Sequence, residues 1–234
     1  MPHREDVLVD EHLRELAARL QGPTRLKSDL LTEARHGLLD AVEAYRESGL
    51  PSTEAQRRAV VEFGSPAQVL PSWQAELAVG ALRGLSLRML AIAGVGVVAG
   101  DLTWRGSSWS SGPRPPAGYQ LLASSVDWIW MGSLLLAVAG LLVVAASARS
   151  TRPGLALVQR AVGAGLTAML ALAMIAGCAL FAWSMTLWDD ALRWPPMIIG
   201  AVLVGGAYFS LARAVRGWLR ATARRAESLA SAAH

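Results

Sequence analysis

The feature that most constrains this chain is Leu85 to Trp104, LSLRMLAIAGVGVVAGDLTW, an apolar run of 20 residues. As a helix it spans roughly 30 Å, at about 1.5 Å per residue, which matches the hydrocarbon core of a bilayer. Its two charges, Arg88 and Asp101, stand near its ends, where side chains reach the headgroups. Three more runs of similar length follow, at about 126–148, 161–183 and 197–215. The expected fold class is therefore all-α, a small amino-terminal helical bundle followed by a four-helix transmembrane bundle.

Charge divides the chain at the same place. Residues 1–76 hold 9 Lys and Arg against 13 Asp and Glu, whereas residues 77–234 hold 13 against 5. The net charge of +4 is thus no sign of nucleic-acid binding, because the excess arginine flanks apolar runs and the acidic module repels phosphate. Three domains are expected: 1–76, a cytosolic helical module; 77–218, the four spans; and 219–234, a basic cytosolic tail. The amino terminus is acidic and carries no apolar stretch, so the first span is expected to serve as an uncleaved targeting signal.

Within the module, Val9, Leu13, Leu16 and Leu20 recur at three- to four-residue spacing, one face of an amphipathic helix. Gly22-Pro23 breaks it. Arg25 to Ser48 carries a second stripe, Leu26, Leu30, Ala34, Leu38, Ala41 and Tyr45, and Gly49 is placed to end it in a left-handed turn. Thr53-Glu54-Ala55-Gln56 has the form of a capping box that opens a third helix. Gly64 stops that helix, and Ser65-Pro66 reads as an N-cap with proline in the first helical position. The expected inward set is Leu13, Leu16, Leu30, Leu38, Ala59 and Phe63. A core of that size is marginal and gains from docking on something else.

The run from Leu13 to Val69 resembles the bacterial HAAS domain, also called permease prefix domain 1, over residues 8–76. The matching positions are Asp29, Leu30, Leu31, Glu33, Leu38, Asp40, Gly49, Glu54, Ala55, Ala59, Phe63, Gly64 and Pro66. Such domains are generally fused to membrane segments, often of permease type, and their genes often neighbour those of PadR-like transcription regulators. The resemblance implies a cytoplasmic interaction or signalling role and brings no catalytic residues.

Arginine sets the expected orientation. Arg83, Arg88, Arg149, Arg152, Arg160, Arg213, Arg216, Arg220, Arg224 and Arg225 fall on one side of the spans, and Arg105, Arg114 and Arg193 on the other. The positive-inside rule then makes both termini cytoplasmic in a bacterial inner membrane. Tryptophan agrees, with Trp104, Trp128, Trp130, Trp183, Trp188 and Trp194 at the outer ends of spans and Trp218 at the inner one. Gly96 and Gly100, Gly165 with Ala161, and Gly177 with Ala173 have small-x-x-x-small spacing. They are candidates for packing within one bundle, with a homo-oligomeric seam as the alternative.

Sites of chemistry are sparse. There is no phosphate-loop motif, no H-E-x-x-H and no C-x-x-C. His12 and His36 stand near acids on separate helices, a pattern far commoner on helix surfaces than in metal sites. The single cysteine, Cys178, lies in an apolar run. Asp101 and Asp127 are candidate outer-face sensing residues, with hydration or pairing to Arg105 as the plainer reading. Glu33, Asp40, Glu43 and Glu47 are candidates for contact with a basic partner, and a solvated surface is the plainer reading. No enzyme activity, cofactor or metal is expected. The expected role is regulatory or adaptor, with a PadR-like regulator as partner. The alternative is an accessory permease-like subunit working with a separate ATPase of an ABC-type export system.

Overall fold

The computed structural model describes residues 6–104, 115–149, 153–187 and 195–231, with side chains for 6–94, 115–149, 154–187, 198 and 201–222. Among the described residues there are seven helices: α1 (Val7–Arg19), α2 (Thr24–Glu47), α3 (Ser52–Phe63), α4 (Pro66–Trp104), α5 (Ala117–Ser147), α6 (Pro153–Leu187) and α7 (Pro195–Ser231). They form two compact units, one of residues 1–81 with 217–234 and the other of 82–216. This division differs from that drawn on the sequence. Residues 217–234 group with the amino-terminal helices, and the boundary falls inside α4 rather than in a linker.

The first unit is built around Val9, Leu13, Leu16, Ala34, Leu38, Val42, Ala55 and Ala59. The stripe of α1 is buried as expected, Leu20 included. That of α2 is rotated. Leu31 packs on the core in place of Leu30, and Val42 joins it, while Leu26 is 37% exposed. Val69, Leu70 and Trp73 of α4 also pack on this core and add a fourth wall to the bundle. Phe63 meets His12 and Trp73 edge-on, with ring centres 5.8 and 6.0 Å away.

Turn chemistry follows the residues. At the end of α2, Gly49 adopts φ +94°, its N–H donates to Arg46 O at 2.9 Å and Leu50 N–H donates to Tyr45 O at 3.1 Å. These two bonds make a Schellman ending, and Leu50 and Tyr45 both pack on the core. Gly64 has φ +100° and ψ 155°, a region open essentially to glycine alone. Ser65 then opens α4, with Pro66 as its first residue, and Gln68 Oε1 accepts from Ser65 N–H at 2.9 Å. The box expected at Thr53 does not form. Ser52 is already helical behind Pro51, and Gln56 sends its Oε1 to another helix.

The second unit buries Leu82, Leu85, Met89, Leu166 and Leu211, yet it also exposes many large apolar side chains, most plainly along α5. Along α5, Leu121, Trp128, Met131, Leu135, Val138 and Leu142 are exposed, whereas Ser133, Ala137 and Gly140 are buried. Large apolar side chains outside and small ones inside are the arrangement of helices solvated by lipid. Among the described residues, three helices are long and apolar enough to cross a membrane, in Pro66–Gly94, Ala117–Ser147 and Gly154–Leu187. Both α5 and α6 outrun their expected spans, and hydroxyls toward their ends bond to the helix's own carbonyls. Ser124 and Ser125 donate to Leu121 O and Leu122 O, and Ser184 to Leu180 O.

The α5–α6 pair is pinned at both ends. Tyr119 and Ser184 share a hydrogen bond of 3.0 Å at one end, and Gln159 Nε2 donates to Ser147 Oγ at 2.7 Å at the other. In between, Gly140 faces Ser86 of α4 and Val162 of α6, and a Cβ there would strike Ser86 Oγ. Ser86 itself is fully buried, and its hydroxyl has no partner among the described residues. Gly140→Ala should cost about 1–3 kcal/mol by overpacking. Ser86→Ala alone should be neutral or stabilising, because it removes an unpaired buried hydroxyl. Combined, the two should recover most of the loss, measured as resistance of the full chain to denaturing detergent. Additive damage would contradict the contact.

Candidate functional site

Helix α1 has 13 residues and no side-chain cap of its own. Other helices cap it instead. At its start, Leu8 N–H donates to Gln56 Oε1 of α3 at 3.2 Å. At its end, Lys27 Nζ of α2 donates to Ala17 O at 2.5 Å and Leu20 O at 3.1 Å. A compact ammonium meets the carbonyls and the negative end of the helix dipole. Lys27 is the single lysine among 22 basic residues.

A third bracket lies where the α1–α2 turn meets α4 and α7. Gln74 of α4 is buried, 4% exposed. Its Oε1 accepts from Gln21 N–H at 3.1 Å, and its Nε2 donates to Gln21 O at 2.5 Å and Ala221 O at 2.8 Å. One amide thus ties the turn to the final helix. Close packing supports it: a Cβ on Gly22 would stand 3.2 Å from Leu77 Cβ, and one on Gly217 would stand 4.0 Å from Pro23 Cγ. Trp218 and Ala221 are buried. The end of α7 therefore joins the first unit through apolar contact and an amide. Beside this junction opens a cavity of about 490 Å³ with Lys27 and Arg220 on its walls.

The residues singled out on the sequence fall as follows. Glu33, Asp40, Glu43 and Glu47 are exposed on α2. At 100° per residue they occupy an arc of roughly 80°, one face of the helix. Glu43 pairs with Arg46 at 3.3 Å, a local contact. Across helices, Asp10 of α1 pairs with Arg35 of α2 at 3.1 Å. Gly165 packs on Leu136, 3.3 Å from a Cβ built there, and Gly177 lies in ordinary contact with Tyr208 of α7. Gly96, Gly100 and Asp101 lie in α4, beyond the part of it whose side chains are described. Asp127 is exposed on α5. Nothing in the sequence pattern pointed to Gly118, where a Cβ would stand 2.9 Å from Trp183, or to Gly140. The lone lysine was the one visible sign of Lys27's role.

His12 and His36 are not brought together. His36 is exposed, whereas His12 is buried with Nε2 unpartnered among the described residues. Among the described residues no three His, Cys, Asp or Glu side chains cluster as metal ligands would. Cys178 is exposed on the apolar surface of α6. No family model, curated protein or solved structure matches this chain.

Burial holds the His12 imidazole below its ordinary pKa of 6.5, against a smaller upward pull from Glu15. The unfolded chain therefore takes up this proton first as pH falls. The stability contributed by neutral His12 is complete above pH 6.5 and declines as pH drops below it. Thermal unfolding of the first unit in the full chain should lose stability between pH 7 and pH 5, and His12→Leu should flatten that slope. An unchanged slope in the variant would contradict the assignment.

Proposed function

We propose that this chain is a non-enzymatic, membrane-anchored regulatory or adaptor protein of a bacterial inner membrane. Its first unit binds a cytosolic protein through the acidic face of α2. The observation that carries this reading is the division of labour on α2. Ala34, Leu38 and Val42 serve the core, while Glu33, Asp40, Glu43 and Glu47 stand exposed on another face. The carboxylates suit a basic partner surface by charge complementarity. The resemblance of residues 8–76 to HAAS domains supports the same reading and suggests a PadR-like regulator as that partner.

Four crossings with both ends cytosolic accompany this proposal. Three helices have the length and apolarity of spans. Helix α7 exposes Val202, Leu203, Val204 and Phe209 and then runs into Arg213 and Arg216, the form of a fourth. Grouping of residues 217–234 with 1–81 is what an even number of crossings produces. The arginine asymmetry favours the cytosolic side for that unit.

A photo-crosslinker at position 40 of the full-length protein, in its native membrane, should capture a soluble protein with a basic surface. Replacing Glu33, Asp40, Glu43 and Glu47 together by glutamine should abolish crosslinking from an exposed position beside the face, such as Gly37. Each substitution should change stability by no more than about 0.5 kcal/mol, as surface changes do. Capture of a nucleotide-hydrolysing transporter subunit would instead make the protein an accessory of an export system and overturn the regulatory reading.

A further inference from the structure

The cavity beside the Gln74 junction has a chemistry of its own. Its walls include Gln21, Thr24, Lys27, Ser28, Leu31 and Arg220, and among the described residues no carboxylate lines it. Two cations therefore approach one volume from different helices, Lys27 from α2 and Arg220 from α7. Lys27 is half-buried, and its Nζ is held by the carbonyls of Ala17 and Leu20. An ammonium has three donors, so one is left for the cavity. Arg220 is exposed, and among the described residues no carboxylate pairs with it. Fixed donors of one sign around a cavity of about 490 Å³ select an anion with several acceptor oxygens. The hydroxyl of Thr24 adds a further donor.

The opposite wall is apolar, contributed by Leu20 and Leu31. Polar and apolar walls together fit an amphiphile better than a free ion. Position along α7 points the same way. Arg213, Arg216 and Arg220 follow the exposed apolar stretch that ends at Phe209, and Arg220 lies seven residues, roughly 10 Å, beyond Arg213. In a bilayer-spanning helix this is the level at which basic side chains meet anionic headgroups.

We propose that this cavity binds a phosphate group between Lys27 and Arg220, supplied by the headgroup of an anionic phospholipid. The site is separate from the acidic face of α2 and needs no protein partner. It rests on α7 crossing the bilayer, which retention of the protein in vesicles after an alkaline carbonate wash tests independently.

The experiment is native mass spectrometry of the full-length protein in neutral detergent, with added phosphatidylglycerol, phosphatidylcholine or inorganic phosphate. Wild type should retain phosphatidylglycerol in preference to phosphatidylcholine. Arg220→Gln should weaken that retention about tenfold, the effect of losing one charge-assisted hydrogen bond. Arg149→Gln removes an equal charge from the end of α5 and should leave binding within about twofold. Equal losses in the two variants would reduce the effect to surface charge and overturn the proposal, as would an Arg220→Gln variant that binds like wild type. Inorganic phosphate binding that depends on Arg220, without preference for phosphatidylglycerol, would overturn the lipid as the source.

Discussion

The amide of Gln74 is the interaction on which the arrangement of the first unit depends. Three backbone groups from two other segments terminate on it: the N–H and carbonyl of Gln21 and the carbonyl of Ala221. Buried and left unpaired, each would cost roughly 1–3 kcal/mol. A short helix such as α1 is marginal in isolation, and the core around Leu16 and Leu38 is small. Polar brackets at Gln56, Lys27 and Gln74 supply what that core lacks, namely a unique register for α1 and its following turn. They also make the end of α7 part of the same body as the amino-terminal helices.

Both units bury leucines, but α5 of the second also exposes a row of large apolar side chains, and the difference follows from the solvent. In the first, leucines face inward and carboxylates outward, because water rewards that arrangement. In the second, Gly140, Ala137 and Ser133 face inward while Leu135, Val138 and Leu142 face outward, because in lipid close approach of backbones matters more than hiding apolar surface. Helix α4 contributes residues to both units, with the division at Ala81 inside the helix. At 39 residues it extends about 58 Å, more than a bilayer core needs, and the surplus is the wall that completes the first bundle.

Features set by neighbours in the chain were legible in the sequence. The stripe from Val9 to Leu20, the glycine turns at 49 and 64 and the Ser65-Pro66 start all depend on residues within one or two turns, and the structure places them as the spacing indicates. The exposure of Glu33, Asp40, Glu43 and Glu47 follows from the same periodicity. What depended on distant partners was hidden. Gln56 resembled a local capping residue but serves α1, 48 residues away. Leu31 packs on the core in place of Leu30, and α4 adds a wall that the three-helix reading of the module did not include. The basic end of α7 appeared to be an electrostatic feature, yet Trp218 and Ala221 beside its arginines are buried. The division at residue 76 followed composition, whereas helix continuity carries the first unit through Ala81.

The account stands on the carboxy-terminal part of α7 lying against the α1–α2 turn. Disulfide formation between Pro23→Cys and Gly217→Cys, in full-length protein carrying Cys178→Ala and kept in its native membrane, tests that contact directly. A Cβ at position 217 would stand 4.0 Å from Pro23 Cγ, so the two positions are neighbours. The account predicts rapid intramolecular crosslinking under mild oxidation, with none when Arg14→Cys replaces Pro23→Cys. No crosslink between positions 23 and 217, or links only between separate molecules, would contradict it.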